Sequence, residues 1–309
     1  MVNRSKFIED ISLDEMEKKH YDVLIVGSGA GGGALLWRLC KNWKREERKK
    51  IGIIEKGKVL FSTNYWNSNN FSFEKYKNMA SQSGKNLPNF SGATQIFALG
   101  GKTLFWSAVT PRFHFSELKK WPISIKDLNS YYLIAERIMN VSLSTSNSQF
   151  SPQSILNFLN QHGFQEAIRT PKAISYDSKK NRLGKQKLFS SIDFLIEGKK
   201  QRSFDLALNA CATKVNVEKN KKIGIEVKSG NKEYYLYSKN IVLSMGTLET
   251  PRILLHSGIQ GNALGHFLTH HSYVRAIGKH ESSFIESILI PETVNNPFQI
   301  QLNVSNKKS

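Results

Sequence analysis

The chain alternates between short unbroken apolar runs and longer stretches with helical spacing. Asp22 to Val26 is a β-branched apolar run closed by glycine, which predicts a buried parallel strand. From Ala34 to Trp43 the positions Leu35, Leu36, Leu39, Cys40 and Trp43 repeat at helical spacing. Lys50 to Ile54 predicts the next strand. Far downstream the strand pattern returns in Leu206 to Val217, Ile223 to Lys228, Tyr234 to Tyr237 and Ile241 to Ser244. Ser229-Gly230-Asn231 marks a turn inside this meander.

Helix signals punctuate the rest. Residues 1–20 predict an amphipathic lead-in helix beside the first strand, with Phe7, Ile8, Ile11, Leu13 and Met16 on its apolar side. Ser124 caps a helix with Asp127 as its partner, and Leu128, Tyr131, Tyr132, Ala135, Ile138 and Met139 form its apolar face. Ile155 to Phe164 predicts a short helix. Thr250 reads as an N-cap, Pro251 as the first helical residue and Gly258 as the C-terminal cap of another. Phe61 to Phe90 is rich in Asn, Ser and aromatics without a sustained period. It fits either a lid or a loop pinned by buried aromatics. Residues 140–206 are the least readable, with a serine-rich stretch from Ser142 to Ser154.

Strand, turn and helix at the first motif arrive in the order a dinucleotide requires. Gly27, Gly29 and Gly32 form G-x-G-x-x-G. The first glycine permits the tight turn, the second lets backbone approach a pyrophosphate, and the third lets the helix pack on the strand. The helix start offers unpaired N–H groups and the positive end of its dipole. Glu55 closes the second strand, where a carboxylate can accept hydrogen bonds from both ribose hydroxyls and repel a 2′-phosphate. Its distance from the glycines exceeds the usual ~20 residues, and the charged segment Lys41 to Lys50 accounts for the excess. The fold class is α/β.

Composition narrows the class. A chain of 309 residues can bury a sizeable core in one large or two modest domains. It has no run of 18 apolar residues, and its first twenty residues lack the apolar centre of a secretory signal. Cys40 and Cys211 make neither a disulfide framework nor a metal spacing. A cytoplasmic location is the default expectation. The net charge of +19 comes from lysines scattered among asparagine and serine, which favours a solvated basic surface over a nucleic-acid face.

A second glycine pair makes the picture specific. Ala98 to Phe113 reads ALGGKTLFWSAVTPRF. Gly100-Gly101 permits close backbone approach, Thr103 offers a hydroxyl, and Phe105 and Trp106 supply flat apolar surface. With the first motif, this stretch resembles the glucose–methanol–choline (GMC) oxidoreductases, flavoproteins that oxidise alcohols. Gly100 to Phe113 is most similar to their pyranose-oxidase and sugar-dehydrogenase branch. Trp121-Pro122-Ile123-Ser124 and Gly246 to Ile259 are also similar to family segments.

The resemblance implies a Rossmann-like FAD-binding domain of parallel sheet, helices and β-meander, followed by the start of a truncated substrate-binding sheet. It implies FAD contacts at Gly27, Gly29, Gly32, Glu55, Gly100, Gly101, Thr103, Trp106 and Gly246, and through the Val215 backbone at the adenine. Pyranose oxidase links its flavin to a histidine. Phe105 stands at that position here and cannot form the link, so FAD is expected to be non-covalent. Gly265 to His271 resembles a further family segment, with His266 and His270 departing from the pattern. His270 and His271 are read as packing residues, with no metal. Tyr273 to Ile277, Ser287 to Ile290 and Phe298 to Val304 resemble the opening strands of the substrate sheet.

These expectations give residues 1–115 and 206–272 as two parts of the FAD-binding domain. Residues 116–205 are an insertion over the active site, and 273–309 begin the substrate domain. No residue matches the family's catalytic histidine, so none is nominated. The implied reaction is oxidation of a CH–OH group of a small alcohol or sugar by hydride transfer to flavin. Two rivals stand beside it: a truncated, non-catalytic relative or half of a split enzyme completed by a second polypeptide, and a polyanion-binding protein on a nucleotide-binding fold.

Overall fold

The computed structural model describes residues 9–43, 48–60, 86–87, 90–119, 121–143, 155–176, 186–217, 223–269, 274, 276–278, 286–293 and 297–304. In chain order, helix α1 (Leu13–Glu17) precedes β1 (His20–Tyr21), β2 (Val23–Val26), α2 (Ala30–Asn42) and β3 (Ile51–Ile54). Strands β4 (Asn86–Leu87) and β5 (Phe90–Thr94) precede a 3₁₀ turn over Gly101–Leu104, then α3 (Phe115–Leu118) and α4 (Ile125–Met139). Next come β6 (Val141–Leu143), α5 (Ile155–Gln161), β7 (Ile168–Arg169), β8 (Pro171–Tyr176) and β9 (Gln186–Leu188). Helix α6 (Ser191–Gln201) leads to β10 (Asp205–Ala207), β11 (Cys211–Val217), β12 (Ile223–Ser229), β13 (Lys232–Ser238) and β14 (Ile241–Leu243). Helix α7 (Gly246–His256), β15 (Glu286–Ile290) and β16 (Ile300–Val304) complete the order.

The chain forms two compact units, residues 1–106 with 190–271, and 107–189 with 272–309. In the first, a parallel sheet runs β10-β3-β2-β14. All four residues of β2 and all four of β3 are buried. Sheets covered on both faces need such unbroken apolar runs, which is why these strands do not alternate. A second sheet holds the antiparallel meander β11-β12-β13, with β1 parallel to β13 at its edge. In β12, Gly224, Ile225 and Val227 are buried while Glu226 and Lys228 are not, the pattern of a strand with one covered face. Leu24, Val26, Ile225, Val227, Leu236 and Ile253 share one core cluster.

The lead-in helix is shorter than the sequence predicts, and Phe7 and Ile8 lie outside the described residues. Among the described residues it spans only Leu13–Glu17, capped by Ser12 and Glu15 in a reciprocal box. It packs on β13 and β10, and its Leu13 and Met16 join the core cluster that holds Leu24 and Val26 of β2. Glu17 accepts the Tyr235 N–H at 2.7 Å, and the Ile11 N–H donates to the Leu206 carbonyl at 2.8 Å. Leu13 and Met16 are its only buried residues, which limits the useful helix to little more than one turn.

Helix α7 also corrects a cap assignment. It begins at Gly246, so Thr250 is not its N-cap and Pro251 stands at its sixth position. Gly246 has φ +85°, which lets the chain turn from β14 into the helix within a few residues. Pro251 therefore costs one hydrogen bond of the second turn. The other end is as expected. Gly258 (φ +77°) donates to the Leu255 carbonyl and Ile259 to that of Leu254, both at 3.0 Å, which is a Schellman cap.

In the second unit β6-β8-β9 and β16-β15-β7 are two antiparallel sheets. Ser124 caps α4, its Oγ accepting the Asp127 N–H at 3.1 Å. Helix α5 occupies most of the predicted Ile155 to Phe164 helix.

Candidate functional site

The site grows from the turn between β2 and α2. Gly27 has φ +98°, and a Cβ there would lie 2.6 Å from the Ser244 carbonyl oxygen. A Cβ on Gly32 would lie 1.9 Å from the Gly27 oxygen and 3.3 Å from Ile25 Cγ2. The protein itself therefore demands both glycines. Gly29 is different. Its φ of −63° and ψ of −168° are extended backbone that any residue adopts. A Cβ there meets nothing within 4 Å. Neither conformation nor internal packing accounts for glycine at this position.

The N–H groups of Gly29, Ala30 and Gly31 have no partner among the described residues. They begin a 13-residue helix whose first turn carries no acidic side chain. Open amides and an uncompensated positive dipole end favour an anion there.

The second glycine pair lies against this turn. Gly100 (φ +95°) and Gly101 (φ +55°) lead into the 3₁₀ turn. A Cβ on Gly101 would sit 3.2 Å from the Gly29 Cα. Two bare stretches of backbone, some seventy residues apart in sequence, thus touch.

A buried polar web fixes them together. Ser28 Oγ donates to Glu55 Oε2 at 2.7 Å and accepts the Gly100 N–H at 3.0 Å. Thr103 Oγ1 donates to the Gly100 carbonyl at 2.6 Å and accepts the Ser191 N–H at 2.8 Å. Ser191 Oγ reaches the carbonyls of Ser28 at 2.8 Å and Gly29 at 2.9 Å.

This web changes two side-chain expectations. Glu55 is buried and accepts the Ser28 N–H at 3.0 Å, the Ser28 hydroxyl, and the Gly57 N–H at 2.8 Å. A carboxylate offers about four lone-pair directions, so Glu55 as placed has room for one further hydroxyl rather than two. Thr103 directs its only hydroxyl proton to Gly100 and has none for a phosphate. Val215 donates its N–H to Ser257 Oγ at 2.8 Å, which leaves its carbonyl for a base.

Trp106 lies just past the 3₁₀ turn and is half-buried. At Gly246, a Cβ meets nothing within 4 Å. His270, His271 and the Phe61 to Phe90 segment, except 86–87 and 90, fall outside the described residues.

Sequence reasoning missed two features. Ser191 lies in the stretch that gave no readable pattern. Its signal was Ser190-x-x-Asp193 ahead of an apolar run, a helix-start signature. The other is buried Gln95, whose Nε2 donates to Glu249 Oε1 at 2.8 Å, while Arg252 binds Glu249 Oε2 at 2.8 and 2.9 Å. Burial pushes the Glu249 carboxyl up, but the hydrogen bonds from Arg252 and Gln95 outweigh it and hold the group below its ordinary value. This pins the start of α7 to the segment after β5.

Among the described residues no cluster of three His, Cys, Asp or Glu side chains could hold a metal. No described helix is long and apolar enough to cross a membrane.

Residues 21–273 match the GMC oxidoreductase N-terminal family model. The chain belongs to the GMC oxidoreductase family. It is 23% identical over 284 residues to ecdysone oxidase of Spodoptera littoralis, covering 77% of this chain and 45% of that protein. Among solved structures, pyridoxine 4-oxidase from Mesorbium loti matches with a TM-score of 0.51 and 15% identity, covering 77% of this chain and 52% of that one. A variant of Aspergillus oryzae RIB40 formate oxidase, studied for FAD modification, matches with a TM-score of 0.51 and 14% identity, covering 78% and 48%. The chain thus spans about half the length of these relatives. The likeness to solved structures supports the Rossmann-like reading of the parallel sheet and its helices.

Proposed function

We propose that this chain is the cofactor-binding part of an FAD-dependent oxidoreductase that acts on CH–OH groups of alcohols or sugars. The observation that carries the reading is Gly29. Its Cβ direction is open and its backbone is ordinary, yet it touches Gly101 of the second bare turn. A thin anionic linker lying across both turns explains glycine at position 29, where the protein itself asks for none, and a diphosphate is such a linker.

The residues present fit FAD. The amides at Gly29 to Gly31 and the backbone of Gly101 would hold its diphosphate. Glu55 would accept one ribose hydroxyl, and the Val215 carbonyl would accept from the adenine amino group. Trp106 and Gly246 would border the ligand, while Gly27, Gly32, Gly100 and Thr103 shape the turns. When bound, the flavin supplies a hydride acceptor. The protein's part is to fix the ligand's length against rigid backbone. No residue of the chain is assigned as the base.

Phe105 provides no atom able to bond covalently to a flavin, so the cofactor is proposed to be non-covalent. The test is the visible spectrum of the purified protein before and after denaturation and filtration. A yellow protein whose colour passes wholly into the filtrate is expected. Colour retained on the polypeptide contradicts non-covalent binding. A protein that stays colourless after incubation with FAD contradicts the flavin assignment.

A further inference from the structure

We infer that Ser191 is a positioning residue that sets the two glycine turns in register for the diphosphate. This rests on the reading of those turns as one cradle. Ser191 is fully buried at the first position of α6, and three of its contacts converge on the cradle. Its hydroxyl proton is shared between the carbonyls of Ser28 and Gly29. Its N–H holds Thr103, which in turn holds the Gly100 carbonyl. One residue therefore grips the backbone of the first turn directly and that of the second through Thr103.

The grip has a directional consequence. In a planar trans peptide the C=O and the following N–H point opposite ways. A proton donated to the carbonyls of Ser28 and Gly29 fixes the two peptide planes whose N–H groups belong to Gly29 and Ala30. Those amides are turned away from Ser191, and they are among the N–H groups with no partner among the described residues. Ser191 thus acts from behind the loop on the donors at its front.

The sequence carries a matching mark. A Cβ on Gly33 would lie 2.0 Å from Ser191 Oγ. Gly33 lies outside the three-glycine fingerprint, and the space its missing side chain leaves is where this hydroxyl sits. The neighbouring serine is a built-in control. Ser190 is also buried, but its Oγ has no hydrogen-bond partner among the described residues.

The experiment compares Ser191→Ala and Ser190→Ala with the wild-type chain. FAD affinity is read by quenching of flavin fluorescence, and the melting temperature is read without flavin. Ser191→Ala is expected to weaken FAD binding about tenfold, equivalent to ~1.4 kcal/mol. Its flavin-free melting temperature is expected to fall by no more than about 4 °C. Ser190→Ala is expected to leave affinity unchanged, because an unpaired buried hydroxyl contributes no bond to lose.

Unchanged affinity in Ser191→Ala overturns the inference. So does an affinity loss accompanied by collapse of the flavin-free melt, which assigns Ser191 a structural role. Equal losses in both variants also overturn it. Failure of the wild-type chain to bind FAD is a separate result, which rejects the cofactor reading itself.

Discussion

Gly29→Val is expected to abolish FAD uptake while leaving the protein folded. The extended backbone at Gly29 accepts a β-branched residue, and the Cβ direction is free of protein atoms within 4 Å. Gly29 is also the N-cap of α2 and contributes no side-chain cap bond, so replacing it loses none. Glycine is somewhat better than valine at an N-cap, which sets the stability cost at about 1 kcal/mol or less. The ligand faces the opposite situation. Three carbon atoms would occupy the space in front of the open amides, where a diphosphate must come within hydrogen-bond distance. The expected loss of affinity exceeds about 100-fold, or ~2.7 kcal/mol. Titration with FAD and a melt without it separate the two effects. Normal flavin content in this variant places the site elsewhere.

Gly32→Ala is expected to do the reverse and damage the fold before any ligand is considered. Two terms compete. Alanine is favoured over glycine inside a helix by about 1 kcal/mol. Against that, the new Cβ would lie 1.9 Å from the Gly27 carbonyl oxygen and 3.1 Å from its carbon. Both are backbone atoms of a turn held by the Gly27 N–H to Ile54 carbonyl bond at 2.8 Å. Relief requires α2 to move away from β2 by more than an ångström. Overpacking of this kind costs about 1–3 kcal/mol and sometimes more, and the backbone contact puts this case at the upper end. The clash therefore wins. A flavin-free melting temperature lowered by about 5–10 °C is the expected result. An unchanged melt contradicts the close strand–helix packing.

The contrast between these two glycines shows what a sequence can and cannot reveal. The motif G-x-G-x-x-G marks both positions alike. Only the surroundings show that Gly32 answers to Gly27 and that Gly29 answers to nothing in the protein. The strand–turn–helix unit itself was legible because all its signals are local: an apolar run, glycines and helical spacing. The cap at Gly258 was legible for the same reason, since a left-handed residue after a helix is a demand on one residue.

Thr250 and Pro251 misled because Thr-Pro satisfies a cap signature wherever it falls. The left-handed turn at Gly246 had already started the helix. The meander could be read from alternation, and β2 and β3, buried on both faces, from their unbroken apolar runs. Long-range partners were the least legible. Glu55 was found as a carboxylate in the right place, but its bonds to Ser28 and Gly57 depend on how two turns meet. Ser191 is 162 residues from Gly29 in sequence, and nothing local couples them.

The most direct test of the account compares the affinity of the purified chain for FAD and for riboflavin, which keeps the ring and its side chain but lacks the diphosphate and adenosine. If bare backbone at Gly29 and Gly101 is a diphosphate cradle, FAD binds at least about 100-fold more tightly than riboflavin. Equal affinity for the two would contradict the account.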